Sequence, residues 1–237
     1  MQGVSRRLPR EVSSPGRIRV WDLPTRLFHW SLVVLVVFSF TTGQVGGAWL
    51  EWHMRSGFAI LALMLFRILW GIAGSETARF THFVSRPRTA FNYAREAWAR
   101  RPAPSVGHNP LGGWMVVLMI AILIAQATSG LFVDDEIATQ GPLTAKVSNA
   151  VVEKMTAFHH YNQWTLVAAV ALHVAAIAFY RIRFGTDLVS PMMSGSMEVP
   201  AGVMPPQPVQ RSSLSALVLL SLSAVFVYWL VVAFPKG

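Results

Sequence analysis

Five apolar runs, each close to the roughly 20 residues that cross a hydrocarbon core, divide this sequence and constrain its fold more than any other feature. The chain is therefore read as a count of spans in place of a count of soluble domains. The first span covers about residues 25–43, through LFHWSLVVLVVFSFTTG, and the Gly43, Gly46 and Gly47 cluster makes the turn that follows. The second begins near His53 and continues through GFAILALMLFRILWGIAG, the third covers about 111–133 and the fourth about 156–180. A fifth, 214–234, follows the segment VPAGVMPPQP, whose prolines cannot continue a helix. The expected fold is an all-α membrane protein divided into a basic arm (1–24), a four-helix domain (25–195), a proline-rich linker (196–211) and an additional transmembrane helix (212–237).

Composition agrees with a lipid solvent. Hydrophobic residues make up 53% of the chain and charged residues 13%, where a soluble domain is about one quarter charged. The net charge of +9 is no sign of a nucleic-acid partner, because the Lys and Arg residues lie before and between the apolar runs. There they carry topology. Arg6, Arg7, Arg10, Arg17, Arg19 and Arg26 precede or open the first span, and Arg79, Arg86, Arg88, Arg95, Arg100 and Arg101 lie between the second and third. Both groups are expected in the cytoplasm, as are Arg181 and Arg183, whereas the acidic Asp134, Asp135 and Glu136 fall on the other side. An N-terminus inside and a C-terminus outside result. The first run lacks a small-residue cleavage site and is read as a retained helix.

Histidines carry the chemistry. His29, His53, His159 and His173 lie within or at the ends of the spans, where an ionisable side chain is costly and normally faces the bundle interior. His159 and His173 are 14 residues apart, about 21 Å of helical rise and close to four whole turns, so both project from nearly one face. In the expected topology His53 pairs in depth with His159 toward the outside, and His29 with His173 toward the inside. Two nitrogens per site suit bis-histidine haem better than zinc, which takes four protein or solvent ligands. The chain has no cysteine, which removes disulfides, Fe–S clusters, thiolate-ligated haem and covalent CxxCH attachment. Iron held by two histidines keeps no open position, which favours electron transfer over oxygen chemistry at the metal. Gly57, one turn after His53, leaves room for a flat macrocycle or for close helix packing.

VWDLPTRLFHW, Thr42-Gly43, WHMRSGF leading to FRILWGIAGSETARF, HNPLGG, Thr128-Ser129-Gly130 and HHYNQW with His173 together resemble the bacterial cytochrome b561 and Ni,Fe-hydrogenase cytochrome b subunit family, over about residues 19–195. The resemblance implies a four-helix haem-binding core with two non-covalent haems b in the bacterial inner membrane. Its ligands are His29 on the first helix, His53 opening the second, and His159 and His173 on the fourth. His160 is a possible substitute for His159, although a spacing of 14 to His173 matches the family better.

Arg26, Arg55 and Arg67 lie near the ends of ligand-bearing helices, where a guanidinium can pair with a haem propionate or snorkel to the headgroups. His82 and His108 fall beyond the ligand pairs. His108 organises the entry to the third span or a quinone-side proton path. Trp21, Trp30, Trp49, Trp52 and Trp70 are explained as interfacial anchors.

The leading functional expectation is a two-haem carrier of electrons between a redox partner and the quinone pool. The partner is a periplasmic or membrane-attached protein of hydrogenase or c-type cytochrome kind, and the chain is an electron-transfer subunit rather than a stand-alone enzyme. A quinone-coupled superoxide oxidase is the enzymatic alternative, disfavoured by the acidic outer segment, although Arg55 and Lys146 soften that argument. A transporter or structural subunit without haem is the third, and it would be colourless.

Overall fold

A computed structural model describes residues 10–12, 16–99, 105–137, 139–199 and 202–236. Arg6, Arg7, Arg100 and Arg101, used above for orientation, lie outside the described residues, as do Pro200 and Ala201 of the linker. Five helical segments are long and apolar enough to cross a membrane: Leu23–Val45, Gly47–Ala73, Pro110–Gly130, Asn149–Phe184 and Ser213–Lys236. The all-helical, five-span expectation is borne out.

Helix α1, Leu23–Val45, starts where the Asp22 side chain accepts from Thr25 N at 2.7 Å and Pro24 occupies the first turn. It ends at Gly46, whose φ of 70° suits a residue without a β-carbon. Helix α2, Leu50–Ala73, follows a single 3-10 turn. The short α3, Phe80–Phe83, and the amphipathic α4, Pro87–Ala99, lead to α5, Pro110–Gly130. Asn109 caps α5 by accepting from Gly112 N at 2.7 Å.

Helix α6, Asn149–Phe184, has 36 residues, about 54 Å of rise, against a hydrocarbon core of about 30 Å. Its amino-terminal turns therefore project beyond the membrane, and the span expected from residue 156 begins two turns earlier as helix. The loop before it leans on this extension, since Asp134 N donates to Thr156 Oγ1 at 3.3 Å.

Helix α7, Val189–Ser194, precedes the segment read above as linker, and α8, Ser213–Tyr228, opens the fifth span. Part of the linker is strand. β2, Gly16–Arg19, pairs antiparallel with β3, Ser196–Val199, and β1, Arg10–Val12, with β4, Gly202–Met204. These pairings join segments nearly 200 residues apart, and no alternation within the arm announces them. Their reason is tertiary: Ile18, Val20 and Trp21 are buried against Val106, Met192, Met197 and Val199.

In the bundle α2 packs against α1, α5 and α8, and α6 packs along α5. Half of the α2 span is buried, whereas the other four spans bury 11–17%. An apolar layer crosses the middle of the bundle, with Ile60, Met64 and Leu123 surrounded by Phe28, Leu32, Leu35, Val36, Leu63, Ile124 and Leu166.

One polar tie joins the arm to this hub. The buried Asp22 caps α1 and also accepts from Trp70 Nε1 at 3.0 Å, while Thr77 Oγ1 donates to Val20 O at 2.5 Å. Replacing Asp22 by Ala removes a cap of about 1 kcal/mol and leaves a buried indole N–H unpaired at about 1–3 kcal/mol. Thr77→Val removes a neutral hydrogen bond of about 1 kcal/mol. The midpoint of heat unfolding in detergent, followed by tryptophan fluorescence, should therefore fall further for Asp22→Ala than for Thr77→Val. Equal midpoints would show that Asp22 does not tie the arm to α2.

Candidate functional site

His53 is in the first turn of α2 and His159 is 10 residues into α6, and the bundle brings the two rings together. Their ring centres are 6.0 Å apart with planes at 88°. Two metal–nitrogen bonds of roughly 2 Å placed end to end, extended by the distance from each nitrogen to its ring centre, give a separation of that order.

Each ring is held by a main-chain carbonyl on a neighbouring helix. His53 Nδ1 lies 2.8 Å from Ser39 O, with Ser39 Oγ at 3.3 Å. His159 Nδ1 lies 3.0 Å from Gln126 O, with Ser129 Oγ at 3.1 Å. A carbonyl only accepts, so Nδ1 carries the proton in both rings and Nε2 is left with its lone pair. A shell of amides supports the second ring: Gln126 Nε2 donates to His159 O at 3.1 Å, and Asn162 Nδ2 donates to Gln126 Oε1 at 2.9 Å and to Ile122 O at 3.1 Å.

Glycines give the rings their seats. A β-carbon on Gly43 would stand 2.8 Å from His53 Nδ1, and one on Gly130 would stand 3.0 Å from His159 Cε1. Ser39 and Gln126 are neighbours of the imidazoles that reasoning from sequence missed, and Ser129 was quoted only as part of a motif without this role. The signal was present in Thr42-Gly43 and Thr128-Ser129-Gly130, whose glycines mark where an imidazole is admitted.

His29 and His173 form the second level. His173 follows His159 by 14 residues on α6, and on α1 the seat Gly43 follows His29 by the same 14. The two helices therefore carry matched registers about 21 Å long. His29 and His173 lie within electrostatic reach of each other. Leu166, midway between His159 and His173, belongs to the apolar layer that separates the levels.

The second level gathers polar atoms in an apolar setting. Nδ1 of His29, Nε of Arg26, Nη1 of Arg67 and Nδ1 of His108 are buried without a hydrogen-bond partner among the described residues. Arg67, 3% exposed, lies over the rings of Phe80 and Phe83 at 5.1 and 5.7 Å. Arg26 Nη1 donates to Met193 O at 2.5 Å. His108, placed above beyond the ligand pairs, is folded inward between Trp21 and Phe83, each with its ring centre 4.7 Å away. It lies within electrostatic reach of Arg67, His173 and His29. Burial, reinforced by the positive charge of Arg67, pushes the His108 imidazole down to about 3, so it is neutral near pH 7.

The remaining residues singled out in the sequence lie outside these two clusters. Arg55 is exposed, pairs with Glu51 at 2.5 Å and covers the ring of Trp52 at 5.2 Å. A β-carbon on Gly57 would meet nothing within 4 Å. His160 is exposed, and His82 sits 3.8 Å from Glu76 near the protein surface. Among the described residues no three His, Asp or Glu side chains gather as a metal cluster.

This is a helical membrane protein with opposed imidazoles at one level and two further histidines at another. The chain belongs to the prokaryotic cytochrome b561 family, whose model matches residues 20–195. It is similar to proteins described as probable Ni/Fe-hydrogenase B-type cytochrome subunits. That of Azotobacter chroococcum is 25% identical, with 78% of this chain and 90% of the relative covered. That of Cupriavidus necator is 27% identical, covering 74% and 85%, and that of Bradyrhizobium diazoefficiens is 27% identical, covering 80% and 89%. No solved structure matches the chain. The chain is a membrane b-type cytochrome; its family implies haem b and, in general terms, electron transfer.

The residues present fit such a group. At the His53/His159 level the two rings are 6.0 Å apart and each has its Nδ1 engaged, which leaves Nε2 as the unprotonated nitrogen; a β-carbon on Gly57, one turn after His53, would meet nothing within 4 Å; and at the other level buried guanidinium nitrogens have no hydrogen-bond partner among the described residues. Gly43→Val should push the His53 ring off its seat and lower the haem b retained per chain. Ser39→Ala keeps the carbonyl acceptor and should leave haem content unchanged in a pyridine haemochrome assay. Equal retention by both variants would mean that the glycine seat does not position the ring.

Proposed function

We propose that this cytochrome holds two haems b, one between His53 and His159 and one between His29 and His173, and carries electrons between a redox partner protein and the quinone pool. The observation that carries the reading is the opposed pair His53 and His159, 6.0 Å apart, with both Nδ1 atoms engaged by carbonyls. Haem b, when bound, supplies a one-electron centre whose potential the surrounding protein tunes. The residues do the rest. Main-chain acceptors hold the imidazoles in one tautomer, Leu166 and its apolar neighbours keep water from the space between the levels, and Arg26 and Arg67 offer charge to the propionates of the second group. Arg55, committed to Glu51, is left out of that role.

The arginine distribution supports a bacterial inner-membrane protein with its N-terminus in the cytoplasm and its C-terminus in the periplasm. Relatives named as hydrogenase cytochrome subunits favour a hydrogenase as the partner. A c-type cytochrome is the second candidate, and genetic neighbourhood would separate them. A carrier is also favoured over a superoxide oxidase, because the acidic loop that holds Asp134 lies near the His53/His159 end and would repel an anionic substrate.

Pyridine haemochrome analysis should give two haems b per chain. His53→Ala and His159→Ala should each retain one, and His160→Ala both. Loss of a haem in His160→Ala, with none lost in His159→Ala, would move the ligand register by one residue.

Direction across the membrane is tested separately. In proteoliposomes with quinol in the membrane and an impermeant acceptor outside, His29→Ala should slow transfer to the acceptor strongly. A normal rate in that variant would remove the second level from the electron path.

A further inference from the structure

Helix α4, Pro87–Ala99, belongs to no span and to neither histidine level. Its depth is set by two hydrogen bonds. Trp114 Nε1 donates to Ser85 O at 3.0 Å, immediately before α4, and the hydroxyls of Tyr93 and Tyr180 pair at 3.3 Å. Trp114 is four residues after the start of α5 and Tyr180 four before the end of α6. Both anchors therefore lie about 6 Å inside the ends of spanning helices, which places α4 beside the ends of α5 and α6.

The faces of α4 are sorted by chemistry. Ala90 and Ala97, seven residues apart, are buried on the side that packs against α5. At about 100° per residue, Phe91 and Trp98 stand side by side next to that seam. Arg88 and Arg95 come next around the helix, and Asn92 and Glu96 follow. Phe91 is 65% exposed and Trp98 83%. Neither Arg88 nor Arg95 makes an ion pair among the described residues.

We propose that α4 lies in the membrane surface, with Phe91 and Trp98 inserted at the boundary between headgroups and acyl chains and with Arg88 and Arg95 bound to the phosphates of anionic phospholipids. Three features select this occupant. The helix is anchored beside the ends of two spanning helices, its aromatic stripe is exposed, and two guanidinium groups without an ion pair among the described residues border that stripe, the pairing of aromatic and cationic side chains that suits an interface carrying phosphates. The helix joins the second and third spans, so its insertion would stiffen the connection that also carries His108.

The chain has no cysteine, which permits single-site spin labelling of the full, haem-loaded protein in nanodiscs containing phosphatidylglycerol. Labels on Phe91→Cys and Trp98→Cys should be accessible to oxygen and protected from a water-soluble nickel complex, with the reverse at Asn92→Cys and Glu96→Cys. For Arg88→Gln and Arg95→Gln, lipid mass spectrometry of protein purified from mixed phosphatidylglycerol and phosphatidylcholine micelles reads the ratio of the two lipids retained. That ratio should fall about fivefold for each arginine removed. Unchanged haem content serves as the control for folding. Nickel access at positions 91 and 98 equal to that at 92 and 96 would overturn the insertion and leave the stripe to a protein partner. An unchanged lipid ratio in the double variant would overturn the anionic-lipid assignment.

Discussion

Hydrocarbon offers no hydrogen bonds, and the rest of this structure depends on that fact. Backbone groups within the five spans satisfy one another as helices. Buried polar side chains need partners as well: Ser56, Ser129 and Ser223 turn back onto carbonyls of their own helices, whereas Asn162, His53 and His159 reach carbonyls on neighbouring helices. Ser39 O and Gln126 O meet this need for His53 and His159. A helical carbonyl retains a second lone pair, so each pairing adds a hydrogen bond without breaking a turn. The same contact that makes the imidazole tolerable in lipid also fixes which of its nitrogens can meet a metal.

The bundle divides the work between scaffold and site. α2 is the hub, packed on three neighbours, and it carries His53 at one end and Arg67 and Trp70 toward the other. The backbones of α1 and α6 share no extended seam among the described residues. Side chains bridge them near the His53 end, where Gln44 meets Gln163 at 3.2 Å and Phe40 meets Trp164. Stability therefore rests on the α1–α2, α2–α5, α2–α8 and α5–α6 seams, and α6 meets α2 through the contact of His159 with His53. The two levels differ in finish. His53 and His159 have satisfied Nδ1 atoms, whereas the His29 level concentrates buried nitrogens without hydrogen-bond partners among the described residues.

Much of this was legible in sequence because lipid imposes a simple rule on composition. A span needs about 20 apolar residues, so all five were found, with ends displaced by a few residues where polar helix continues into water, as at Asn149–Met155. The histidines were legible because charge is rare in such segments, and their depths followed from counting residues. What surrounds them was not. Ser39 and Ser129 look like ordinary span serines until the packing of α1 on α2 and of α5 on α6 turns them toward an imidazole. In sequence Arg55 and Arg67 both looked like partners for a propionate, and only packing separates them: Arg55 faces Glu51 on the surface, whereas Arg67 is buried against Phe80 and Phe83.

By itself the sequence determined the solvent, the number of spans and the family, and it singled out the candidate histidines, since each of these depends on local composition or on spacing along one helix. Tertiary structure alone decided the rest. It set the tautomer of each opposed imidazole, the glycine seats, the inward fold of His108 and the strands that tie the arm to the segment before α8. Those features arise where helices or strands distant in sequence come into contact. A periodicity along one segment carries no record of which neighbour its side chains will meet.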